Sequence, residues 1–110
     1  MTIENTRLIE ILHEITADLP SGRAAGCGKI TDLAGALTAR EASLAARVLA
    51  LVAAREKDAE CQEAELNAIS DLATYNSISR GDLVDLSAIV PIEPSAVDAA
   101  QYLRDENLLD

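Results

Sequence analysis

Phenylalanine and tryptophan are missing from this chain of 110 residues, and tyrosine occurs only twice. Strands draw on aromatic and β-branched side chains for their packing, so a sheet core is disfavoured. The interior falls to Ala, Leu, Ile and Val instead, and with only five Gly and three Pro this composition favours closely packed helices. Long apolar runs are also lacking: Val48–Ala54 is the longest, far short of the roughly 20 residues that cross a bilayer. The opening stretch MTIENTRLIEIL carries two acids and no small-residue cleavage site after an apolar run. It does not read as a signal peptide, and a cytoplasmic location is expected. Basic residues are scarce, nine against nineteen acids, for a formal charge of −10. That balance opposes binding to nucleic-acid phosphates or anionic membranes and suits a basic protein partner, although solubility alone is another use of an acidic surface.

Histidine occurs once and cysteine twice, which removes most site chemistry. Cys27 and Cys61 lack metal-ligand spacing and are expected as free thiols, with a disulfide between them as the alternative. Glu10-x-x-His13 is half of a di-metal carboxylate motif, but such sites need a second copy and two further glutamates. His13 is the sole candidate base for Ser-His-Asp or Cys-His chemistry, and it sits between Glu10 and Glu14 on a regular helix. Gly28-Lys29 with Thr31 departs from the phosphate-loop pattern, which requires Gly at position 23 and Ser or Thr at 30, where this chain has Arg and Ile. Arg80-Gly81-Asp82 matches the integrin-binding tripeptide, yet a helix start explains it fully. No cofactor or metal is expected, and an enzyme is not.

Six helices in short antiparallel pairs are predicted for a single all-α domain covering residues 1–110. The first runs from about Asn5 to Leu19, buries Leu8, Ile11, Leu12, Ile15 and Leu19, and stops at Pro20. PSGRAAGCG reads as a loop in which Gly22, Gly26 and Gly28 supply positive-φ turns. A short helix around Lys29–Leu37 offers Ile30, Leu33 and Leu37. Thr38-Ala39-Arg40-Glu41 is a capping box opening a third helix, Thr38–Ala54. Its residues Leu44, Val48, Leu51 and Val52 are expected inside, with Leu49 on the far side, at the centre of the fold. Lys57-Asp58 forms a corner with Asp58 as the next cap. Ser79–Asp82 opens a short fifth helix carrying Leu83, Leu86 and Ile89. Val90–Pro94 is an extended link, and Pro94 begins a sixth helix through Val97, Ala100, Tyr102 and Leu103.

The fourth helix, within Arg55–Thr74, concentrates the chemistry. Helical periodicity places Glu56, Glu60, Glu63, Asn67, Ser70, Asp71 and Thr74 on one arc and Ala64, Leu66, Ala68, Ile69, Leu72 and Ala73 mainly opposite. Its only nearby cations are Arg55 and Lys57, and the like-charge spacings Glu56–Glu60 and Glu60–Glu63 cost helix stability. An uncompensated arc of this kind is either solvated surface or a site for a cationic partner. Glu65 is out of place in the apolar arc, and a salt bridge to Arg47 or Arg55 across the hairpin would account for it. Asp98, Asp105 and Glu106 form a possible second acidic patch.

The run LAARVLALVAAREKDAECQEAELNAISDLATYNSISRGDLVDLSAIVP resembles a HEAT-like helical hairpin: an apolar helix, a charged corner at Arg55–Asp58, a second helix EAELNAISDLA, then a short helix at Ile78–Leu83. The resemblance covers about residues 38–105 and implies a compact stack of about three hairpins. Small acidic HEAT-like proteins are similar to immunity proteins of bacterial contact-dependent or polymorphic toxin systems. That resemblance implies a non-enzymatic inhibitor, monomeric when free, that occludes a basic, nuclease-like toxin domain. The residues for such contact are Glu56, Glu60, Glu63, Asn67, Asp71, Asp98, Asp105 and Glu106. The alternative is a structural adaptor or self-associating module, with Leu49, Leu103, Leu108 and Leu109 as a candidate apolar face.

Overall fold

A computed structural model describes residues 5–86, 89 and 94–109. Five α-helices and two 3-10 segments make up the regular structure of these residues: α1 (Asn5–Ile15), α2 (Pro20–Leu33), a 3-10 turn (Ala34–Ala36), α3 (Ala39–Arg55), α4 (Ala59–Tyr75), a 3-10 segment (Arg80–Leu86) and α5 (Pro94–Asp105). The expected all-α stack of hairpins is the observed architecture. Helices α1 and α2 pack as one pair and α3 and α4 as the next. The pairs then stack like on like, with α1 against α3 and α2 against α4. The 3-10 segment continues the first layer by packing on α3, and α5 continues the second by packing on α4. The result is a two-layered slab measuring 34 × 31 × 19 Å.

Local chemistry sets most of the helix ends. The Thr38 hydroxyl accepts from the Glu41 N–H and the Glu41 carboxylate accepts from the Thr38 N–H, which completes the capping box. Asp58 accepts from the Cys61 N–H and opens α4. At the far end of α5, Asn107 takes φ 60°, the Leu108 N–H donates to the Leu103 carbonyl, and the Asn107 N–H donates to that of Arg104. These are the two bonds of a Schellman cap with Asn in the usual place of Gly.

Several expectations require correction. PSGRAAGCG is no loop, because α2 begins at Pro20 and runs straight through it. Pro at the first helical turn lacks only an N–H that would have had no partner there. Its glycines do not take positive φ. Gly26 serves contact instead: a Cβ there would lie 2.8 Å from the Ile15 nitrogen and 2.9 Å from the Glu14 Cβ, so its missing side chain lets α2 seat against the end of α1. Since α1 ends at Ile15, Leu19 falls outside it and is 70% exposed.

The faces of α3 differ from those expected: Val48 and Val52 do pack in part against the core, but Leu49 and the pair Leu44 and Leu51 exchange sides. Leu49 is fully buried beside Ala42, Ala45, Ala46, Ala50 and Ala53, whereas Leu44 is 47% and Leu51 40% exposed. Alanine lets neighbouring helix backbones approach closely, so the small-residue face turns to α1, α4 and the 3-10 segment, and Leu44 and Leu51 are left outside. The helix is central within its layer but is not covered on most sides. Lastly, the fifth helix is a 3-10 segment, kinked at Leu83, that buries Leu83 and Leu86. Leu49, Leu103 and Leu109 are all buried and Leu108 is half-buried, so they form no exposed apolar face. The predicted extended link at Val90–Pro94 lies outside the described residues except at its last position, where α5 begins.

Candidate functional site

Helix α4 carries no lysine or arginine, and its outward face presents the acids that its periodicity predicts. Glu60 and Asn67 are exposed, and Glu63 and Asp71 are half-buried. On α5 and its end, Asp98, Asp105 and Glu106 are exposed. Among the described residues, the side chains of Glu60, Asn67, Asp71, Asp98 and Glu106 make no hydrogen bond or ion pair, while Asp105 accepts from the Gln101 amide at 2.9 Å. The packing of α2 on α4 leaves a groove of about 590 Å³ between them. Thr31 and Asp32 stand on its α2 side and Asn67, Ser70 and Asp71 on its α4 side, with the buried Cys27 also in its lining. Two carboxylates facing one groove, with hydroxyl and amide groups between them, suit a guanidinium or ammonium group.

Glu56 belongs elsewhere. Its side chain is 3% exposed and bound bidentately by Arg23 of α2, whose Nε lies 2.7 Å from Oε1 and whose second terminal nitrogen lies 2.9 Å from Oε2. The backbone N–H groups of Lys57 and Asp58 donate to the same carboxylate. Arg23 spends its other terminal nitrogen on the carbonyls of Ala17 and Asp18. One carboxylate thus ties the α3–α4 corner to the start of α2, and it has left the acidic arc because it has a cation to pair with.

Beside this pair sits Glu65, fully buried, with neither oxygen hydrogen-bonded in ordinary geometry. The expected bridge to Arg47 or Arg55 does not form; Arg47 binds Asp82 instead, at 3.0 Å. Burial, and then the neighbouring Glu56 carboxylate, push the Glu65 carboxyl up to about 9, so it is a neutral acid at pH 7. Burial alone would also raise Glu56. The Glu65 side chain, the Arg23 guanidinium and the Asp58 N–H outweigh that and hold it down to about 2. The two carboxyls therefore share a single negative charge, balanced by Arg23. The same burial silences the free thiols: Cys27 is pushed up to about 12, and Cys61, which donates to the Pro20 carbonyl at 3.1 Å, to about 11.

A second buried carboxylate, Asp82, joins the 3-10 segment to α3. It accepts from the Ser43 hydroxyl at 2.6 Å, from Arg47 Nε, and from the Ser79 N–H at 3.1 Å. Burial acts to raise its pKa, but these donors prevail and hold it below the usual carboxylate range. Arg80-Gly81-Asp82 is accordingly a folding element whose Asp points inward. The half-motif Glu10-x-x-His13 leaves His13 exposed, and among the described residues no group of three or more His, Cys, Asp or Glu is placed to hold a metal ion. Lys29, in the would-be phosphate loop, is paired with Glu14 at 2.7 Å.

Periodicity located Glu60, Glu63, Asn67 and Asp71 on one face. It gave no sign that Asp32 and Thr31 stand across a groove from them, because that pairing depends on α2 being a helix. No match to this chain is found among family models, curated proteins or solved structures. Among the described residues no helix is long and apolar enough to cross a membrane.

Proposed function

We propose that this protein is a non-enzymatic inhibitor of the immunity type, which binds a basic, nuclease-like toxin domain and occludes its active site with an acidic surface. The observation that carries the proposal is the second layer, where Glu60, Asp71, Asp98 and Glu106 have no compensating partners among the described residues and Asp71 faces Asp32 across a groove. Leaving charge uncompensated on a helix costs stability, and a cationic partner gives that cost a use. Carboxylates at the spacing of helix turns would meet the lysines and arginines that otherwise hold nucleic-acid phosphates. Such steering gives fast association that slows as salt rises.

The test begins with purification of the tagged protein from its native cells and identification of what accompanies it. A basic protein is expected, bound more weakly as ionic strength rises. Reversal of Glu60 and Asp71 to Lys should lower its affinity by roughly 10-fold or more and leave the circular-dichroism spectrum unchanged. Undiminished binding of that partner by the double variant at low salt would show the face to be merely solvated.

A further inference from the structure

The outer face of α3 is built in the opposite sense from α4. Taking 100° per residue, Arg40, Leu44, Arg47, Leu51, Ala54 and Arg55 fall within an arc of roughly 100°, directly opposite the buried alanines. All six are exposed. No acidic residue lies within the arc. Arg40 and Arg55 have no ion-pair partner among the described residues, and Arg47 gives only its Nε to Asp82 while its side chain remains 65% exposed. Shallow hollows lie at both ends of the stripe. One, of about 470 Å³, is lined by Ala39, Arg40, Ser43, Leu44 and Arg47. The other, of about 410 Å³, has Leu51, Val52 and Arg55 on one wall and Thr16, Ala17 and Asp18 on the other, with Lys57 and the Arg23–Glu56 pair also lining it, so cations outnumber acids there.

We infer that this face docks an acidic amphipathic helix from a partner protein. Alternating Leu and Arg at steps of four and three residues is the repeat of a two-helix seam. The stripe is about 22 Å long, or four turns, which fits a helix carrying apolar residues on its own seam and Glu or Asp beside it. Charge decides the occupant. A chain of net charge −10 is repelled by an extended anionic surface, whose field acts on the whole molecule. A single helix with a few acids meets the three arginines locally and places apolar side chains over Leu44 and Leu51. A second copy of this chain would set arginine against arginine. The surface is separate from the acidic face proposed for the toxin, so the two readings stand or fall independently.

The probe is a fluorescein-labelled three-heptad peptide with Leu on its seam and Glu on the flanks, titrated with the full chain and followed by anisotropy. A version with Lys in place of every Glu is the control. Saturable binding of the acidic peptide alone is expected, weakened roughly 10-fold or more by Leu44→Asp with Leu51→Asp, and comparably by Arg40→Glu with Arg55→Glu. Both pairs are surface changes, so unaltered circular-dichroism spectra accompany the loss. The inference is overturned if the acidic peptide does not bind, if the Lys peptide binds equally, or if neither variant pair weakens binding. It is also overturned if sedimentation shows a dimer that the leucine variants dissolve, or if the protein co-sediments with vesicles containing phosphatidylglycerol.

Discussion

Replacing Glu65 by Gln should stabilise this protein at neutral pH and do nothing at acid pH. The carboxyl sits near 4.5 in the unfolded chain and at about 9 in the folded one, because it is fully buried beside the Glu56 carboxylate. The folded state therefore holds a proton that the unfolded state releases. With the folded pKa raised, the contribution of Glu65 is most favourable below pH 4.5, declines by about 1.4 kcal/mol for each further pH unit, and levels off above about 9. At pH 7 the accumulated loss is about 3 kcal/mol, a large share of the stability of a small domain. Gln fills nearly the same space and cannot ionise. Urea unfolding of both chains, followed by circular dichroism between about pH 4 and 8, gives the difference directly. General repulsion among the surface acids is common to both chains and cancels. A stability gap that opens steadily above pH 4.5 is the expected result. A gap that is constant with pH, or a variant less stable at every pH, would refute the reasoning. Glu56 works in the other direction: its folded pKa of about 2 is depressed, so its contribution is complete above pH 4.5 and fades as pH falls through 2. The parent chain should therefore be most stable in the mildly acidic range.

The remaining predictions concern packing and caps. Gly26→Ala should cost about 1–3 kcal/mol, since its Cβ meets the Ile15 backbone. Gly28→Ala, with open space around it in the same helix, should gain about 0.5–1 kcal/mol, and thermal melts of the two variants should move in opposite directions. Asn107→Ala forces a Cβ without a polar tip into the left-handed region and should cost about 1 kcal/mol by urea midpoint. Asp82→Ala leaves the Ser43 hydroxyl and Ser79 N–H without their acceptor and should cost about 1–3 kcal/mol at pH 7. Because its folded pKa is depressed, that difference should shrink as pH falls below the ordinary carboxylate range.

What could be read in the chain beforehand was the chemistry of neighbours. Thr38 with Glu41, and Asp58 before Ala59, are signals complete within four residues, and both caps form as those signals specify. The period of α4 likewise places Glu60, Asn67 and Asp71 together. The failures share one cause, which is that volume matters where hydropathy was used. Three glycines in nine residues read as a loop, yet in α2 one of them is the gap into which α1 fits. Leu44 and Leu51 read as core, yet the alanines of α3 make the seam. Glu65 was visible as an anomaly, an acid among apolar positions. Its partners, Glu56 and Arg23, come from a corner and from a stretch misread as irregular, so the sequence pattern pointed to the wrong cations.

The alanine seam of α3 changes what counts as a conservative substitution. At Ala45, Ala46, Ala50 and Ala53 the interior tests size before polarity. Valine, which is more apolar, adds two methyl groups between backbones that have no room for them and strains χ1 within a helix. Serine, which is polar, adds one small atom and can return its hydroxyl to the carbonyl one turn back. Along this helix the usual order of tolerance is inverted: a hydroxyl should be milder than a larger hydrocarbon, and the residues freest to shrink without harm to the fold are the two outward leucines, Leu44 and Leu51.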